Sequence, residues 1–181
     1  MKKKILFITG SRAEYYIQKP IINEVKKSKF LKPLLVISGS HLSKKFGYSC
    51  REIIKDKFKI ISKIKNLKIS DKQSSRIESL ALQLTKLLGT VKKVKPDCII
   101  APYDREEAVT ASLVGTYMNI PVAHLGAGDR TAFNVDGVIR HSVTKLASIS
   151  FCFTKESYDR VIKLGEEKWR VHNVGHTVVE R

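Results

Sequence analysis

Short apolar runs alternate with amphipathic stretches along all 181 residues of this chain, and that alternation restricts the fold more than any other feature. Seven runs read as strands: residues 5–9, 33–38, 58–61, 98–101, 121–125, 150–153 and 171–174. Several are apolar at every position, the pattern of a strand covered on both faces of a parallel sheet. Between them, helical spacing predicts helices over 19–27, 48–55, 71–94, 106–118, 136–147 and 155–164. Ser70-Asp71-Lys72-Gln73 offers the longest one a capping box, with Ser70 as N-cap, and Gly165 closes the last. The alternation predicts an α/β fold, a doubly wound parallel sheet forming one domain over 1–181. In such sheets ligands bind at the carboxyl ends of the strands, near the switch in strand order.

Composition closes off other classes. Hydrophobic content of 43% suits an ordinary globular core, and no apolar run reaches the eighteen or so residues that a membrane span needs. The lysine-rich opening is followed too soon by Ser11, Arg12 and Glu14 to be a signal peptide, so a cytoplasmic protein is expected. Cys50, Cys98 and Cys152 lie far apart without metal-ligand spacing, and are read as reduced thiols; no metal site is expected. The net charge of +17 falls wholly within residues 1–100, which hold 24 basic and 7 acidic residues. Of those bases 21 are lysine, whereas base readers favour arginines and aromatics, so nucleic acid is not the expected partner.

Four loops at predicted strand ends could carry chemistry. Gly10-Ser11-Arg12 after the first strand lets the backbone approach a phosphate while the guanidinium pairs with it, or is an ordinary tight turn. It matches neither G-x-G-x-x-G nor G-x-x-x-x-G-K-[ST]. His41, in Gly39-Ser40-His41-Leu42, either reaches the ligand edge or makes structural hydrogen bonds. Pro102-Tyr103-Asp104-Arg105 places an acid/base group beside a cation, unless Asp104 merely caps the next helix. Asp129 follows Gly126-Ala127-Gly128, and Asp136 and Arg140 stand four apart on one predicted helix face, an arrangement that is often only a surface ion pair.

Taken in order, these stretches resemble the UDP-N-acetylglucosamine 2-epimerase family, in particular its hydrolysing, sialic-acid branch. The resemblance rests on Arg12-Ala13-Glu14-Tyr15, Gly39-Ser40-His41-Leu42, Asp104-Arg105, Asn119-Ile120-Pro121-Val122-Ala123-His124, Ile139-Arg140-His141 and Val174-Gly175. It implies a Rossmann-like N-terminal domain of a GT-B-type two-domain fold, converting UDP-GlcNAc to ManNAc and UDP without cofactor or metal. It further implies that Arg12 and Arg105 meet the nucleotide, that Asp104 and Asp136 serve acid/base steps, and that Arg140 holds the pyrophosphate or orients a carboxylate. The partners it implies are a UDP-sugar, a second Rossmann-like domain in cis or trans, and a second copy in a homodimer.

Three departures from the family pattern stand out. Gly126 occupies a position where the family carries Glu, Gly137 replaces a second carboxylate, and His-Gly-Asp-Arg has become Pro102-Tyr103-Asp104-Arg105. Gly126 therefore reads as a vacancy in the acid/base set, unless Asp129 stands in. The isolated chain is expected to be inactive. A non-catalytic nucleotide-sugar-binding or regulatory subunit, or half of a split GT-B glycosyltransferase, remain as alternative readings.

Overall fold

The computed structural model describes residues 1–70, 72–130 and 135–177. Its seven strands form one parallel sheet in the order 3-2-1-4-5-6-7: β1 (Lys3–Thr9), β2 (Leu31–Ile37), β3 (Ile60–Lys63), β4 (Cys98–Pro102), β5 (Val122–Leu125), β6 (Ile149–Cys152) and β7 (Val171–Asn173). Each lies within about two residues of an apolar run in the sequence. The doubly wound α/β class is therefore observed, with the reversal of strand order between β1 and β4.

Among the described residues six α-helices connect the strands: α1 (Arg12–Lys27), α2 (Cys50–Lys55), α3 (Gln73–Val94), α4 (Glu106–Tyr117), α5 (Val135–Leu146) and α6 (Lys155–Lys163). The alternation of side chains along the strands divides the core in two. Leu6, Ile8, Val36, Ile99 and Ala101 face α3, α4 and α5 through Leu87, Ala108 and Val143. Phe7, Leu35, Ile37 and Ile100 face α1 and α2 through Tyr15, Ile22 and Ile53. The helices after β1 and β4 thus leave for opposite faces, which opens a crevice at the carboxyl edge between those strands.

Two helix starts differ from expectation. Helix α1 begins at Arg12, seven residues before the amphipathic pattern, because Ser11 and Glu14 form a reciprocal capping box there. Pro20 sits inside this helix on its exposed side, where water can reach the backbone that a proline leaves unbonded. Helix α3 begins at Gln73, with Lys72 as N-cap and no side-chain cap; Ser70 Oγ instead accepts from the Lys72 amide. Asp71, in the predicted start of that helix, lies outside the described residues. At the end of α6, Gly165 adopts φ of +84° and donates to the Ile162 carbonyl, as a helix-closing glycine does.

Coverage of the sheet is uneven. Among the described residues no helix covers the α1 face of β4, β5 and β6, where a groove of about 950 Å³ lies over Ile100, Leu125, Phe151 and Phe153, walled by α1 and by the segment 174–177. Among the described residues no helix is long and apolar enough to cross a membrane. The three cysteines are free thiols.

Candidate functional site

The carboxyl ends of β1, β4 and β5 bring most of the predicted residues to one edge. Arg12 opens α1 after β1 and Arg105 precedes α4 after β4, both with more than half of the side chain exposed. Arg12 Nη2 holds Glu52 Oε1 of α2 at 2.8 Å, and Arg105 Nε lies 3.9 Å from Glu106 Oε2. Both exposed guanidiniums can exchange these loose partners for an incoming anion, because solvated pairs of this kind contribute little.

Beside them is a charged cluster centred on Arg140. This residue is 6% exposed, and its guanidinium donates to the Asp104 carboxylate and, at 3.0 Å, to the Gly126 carbonyl. Asp129 Oδ2 lies 3.3 Å from Nη1, so Arg140 bridges the carboxylates that follow β4 and β5. Asp104 therefore does not cap α4, whose N-cap is Arg105 and lacks a side-chain bond. Burial pushes the Asp104 carboxyl above its usual range, Arg140 pulls it back, and the Asp136 charge adds to the push. Asp136, in the first turn of α5, lies 3.3 Å from Arg76 Nη2 of α3. Asp104, Asp129, Asp136 and Arg140 thus share one neighbourhood. Thr131, two residues after Asp129, lies outside the described residues.

His41 is placed differently from the ligand-edge reading. It is fully buried, with Nε2 3.0 Å from Thr9 Oγ1 and Nδ1 2.7 Å from Ser49 Oγ. Burial lowers it to about 4, so it stays neutral and pins the loop after β2 from beneath. His124 is likewise buried and lowered to about 4. Its Nε2 lies 2.7 Å from the Tyr103 carbonyl, which can only accept, so Nε2 carries the proton.

Three residues of this edge were missed in the sequence. Glu14 accepts from the Gly10 and Ser11 amides at 2.7 and 3.0 Å through one oxygen, while the other is buried without a hydrogen bond. Glu107 is buried on the other side of Gly10, accepting from Ser38 Oγ at 2.9 Å. A Cβ on residue 10 would stand 2.0 Å from Glu107 Oε1, which is why only glycine fits there. Burial raises both carboxyls, and the Glu107 charge raises Glu14 further. The Ser11-x-x-Glu14 spacing was the available signal for Glu14; Glu107 had none. The third is Tyr103, in the left-handed region at φ of +54°, with its ring against Phe153 and its centroid 5.7 Å from the Arg140 guanidinium carbon. Its signal was a bulky side chain just before Asp104.

Comparison with known proteins places this geometry. A family model described as UDP-N-acetylglucosamine 2-epimerase matches residues 23–181. The GDP/UDP-N,N'-diacetylbacillosamine 2-epimerase (hydrolyzing) of Campylobacter jejuni is 34% identical over 174 residues, 96% of this chain and 45% of the relative. Polysialic acid biosynthesis protein P7 of Escherichia coli is 32% identical, over 96% of this chain and 44% of the relative. The chain spans about half the length of the curated relatives it matches. The crystal structure of the Neisseria meningitidis UDP-GlcNAc 2-epimerase bound to UDP-GlcNAc superposes with a TM-score of 0.84 at 23% identity, covering 97% of this chain and 46% of that one. That likeness shows the shared fold, a Rossmann-like half of a GT-B-type architecture. With its seven-stranded sheet and with nearly all of its length after residue 22 matched, the chain belongs to the UDP-N-acetylglucosamine 2-epimerase family.

Proposed function

We propose that this chain is the nucleotide-sugar-binding N-terminal half of a hydrolysing 2-epimerase, working on a UDP-linked 2-acetamido sugar with a second Rossmann-like domain in cis or in trans. The observation that carries the reading is the Asp104–Arg140–Asp129 cluster at the strand ends, beside the exposed Arg12 and Arg105. The relatives named as hydrolysing epimerases and the solved relatives bound to UDP-GlcNAc or UDP support the ligand class.

The reaction needs groups of this kind. A carboxylate takes the proton from sugar C2, and the C1–O bond breaks with its electron pair leaving on the diphosphate of UDP. Water then adds across the resulting C1=C2 bond, its hydroxide going to C1 and a proton arriving at C2 from the opposite face. Asp104, raised by burial and held by Arg140, supplies one carboxylate of the acid/base set. Asp129 or Asp136 supplies the second carboxylate, and Arg12 and Arg105 balance the diphosphate. That no helix among the described residues covers the groove over β4–β6 supports a second domain, since parallel sheets are covered on both faces. The isolated half then binds ligand without turning it over.

Calorimetry with UDP tests this reading. Arg12→Ala and Arg105→Ala are each expected to weaken binding by about 1.5–3 kcal/mol, the worth of a charged hydrogen bond. Unchanged affinity in both variants would move the nucleotide away from the β1–β4 edge. Release of free 2-acetamido sugar from UDP-GlcNAc is expected only when a second half is supplied; robust product from the pure chain would refute the two-domain reading.

A further inference from the structure

Tyr103 carries two separate energetic penalties at one residue. Its backbone is held in the left-handed region, where a bulky side chain is strained. His124 Nε2 fixes its carbonyl, and its amide donates to the Leu125 carbonyl at 2.9 Å. Its hydroxyl is buried and makes no hydrogen bond among the described residues. Strain and an unsatisfied donor at the ligand edge of the sheet are what a group reserved for a ligand shows in its free state.

The surroundings say which part of a ligand it meets. Asp104 is the next residue, and burial together with the charges of Asp129 and Asp104 raises the phenol, so the hydroxyl stays protonated and can donate. A cluster of carboxylates repels phosphate oxygens, which belong by the exposed Arg12 and Arg105. What reaches Tyr103 is therefore an uncharged acceptor, a sugar hydroxyl or an acetamido carbonyl. The ring also takes the space beside Gly126: a Cβ there would stand 3.0 Å from Tyr103 Cδ1 and Cε1. A side chain at 126 would crowd the Tyr103 ring, which packs directly against the glycine.

Resting on the nucleotide-sugar reading, we infer that Tyr103 is a specificity-determining residue, whose hydroxyl donates a hydrogen bond to the sugar of the bound nucleotide sugar from beside Gly126. Tyr103→Phe keeps the ring and removes only the donor. On the full chain, calorimetry with UDP-GlcNAc is expected to show about tenfold weaker binding for this variant, and with UDP less than a twofold change. The free variant is expected to melt at or above the wild-type temperature, because the lost hydroxyl was unpaired. Equal loss for both ligands, an unchanged UDP-GlcNAc affinity, or a lower melting temperature would each overturn the inference. Wild-type chain that binds neither ligand would overturn the nucleotide-sugar reading together with it.

Discussion

Arg140→Met is expected to destabilise the chain by about 3–5 kcal/mol at pH 7.5, the usual consequence of removing one partner of a buried ion pair. The methionine replaces much of the side-chain volume, so packing alone would give less than about 1.5 kcal/mol. The larger part comes from what is left behind. Asp104, with 14% of its side chain exposed, and Asp129, with 29%, would face one another and Asp136 with no cation between them. The pH dependence identifies this cause. Without Arg140 the upward push of burial on Asp104 is opposed only by the charge of Arg105, so its folded pKa rises further above the unfolded one. A carboxyl raised in this way favours folding in its protonated form, so the deficit shrinks as pH falls through the raised value. Both proteins also lose stability between about pH 6.5 and pH 4, because His41 and His124, lowered to about 4, take up protons first in the unfolded chain. The informative quantity is therefore the difference between variant and wild type in urea unfolding at pH 7.5 and pH 5. A gap of the same size at both pH values would assign the effect to packing and not to the stranded carboxylates.

Gly126→Glu is expected to lose stability, by about 2–5 kcal/mol, and to restore no acid/base group. Gly126 has φ of +75°, a conformation in which a residue with a Cβ is strained by about 1–2 kcal/mol. The new Cβ would press on Tyr103 and Phe153 at 3.0 and 3.1 Å, and overfilling a packed site adds about 1–3 kcal/mol. The carboxylate would start from between two aromatic rings. Thermal unfolding of the variant decides the first point. Turnover with a second half supplied decides the second, and a gain in activity by a stably folded Gly126→Glu would show that the position is an unfilled catalytic place.

The strands and the doubly wound class were legible because a strand buried on both faces must be apolar throughout, as in Leu34-Leu35-Val36-Ile37. The start of α1 was obscured by Pro20, which ends most helices but here lies on the solvent side of one. Arg12, Arg105, Asp104, Asp129, Asp136 and Arg140 came to one edge because strand ends fix where loops begin. His41 shows the limit of that rule. Only Ser40 separates it from Gly39 in the 3-10 turn Gly39–Leu42, and that turn places the imidazole under the loop, a choice that no spacing encodes. Glu14 had a local signal in its capping-box spacing, whereas Tyr103 and Glu107 depend on contacts between distant segments: Glu107 meets Ser38 across 69 residues, and such pairings leave no local pattern.

The groove over β4–β6 gives the excess of lysine a colloidal meaning. A groove lined by Ile100, Leu125, Phe151 and Phe153, with no helix over it among the described residues, invites a second copy to fill it. A chain carrying +17 repels its own kind over about 10 Å at 0.1 M salt, a range that shrinks to about 3 Å at 1 M. Long-range repulsion between like chains thus guards a short-range adhesive surface. It leaves that surface open to any covering segment that is neutral, acidic or already tethered nearby.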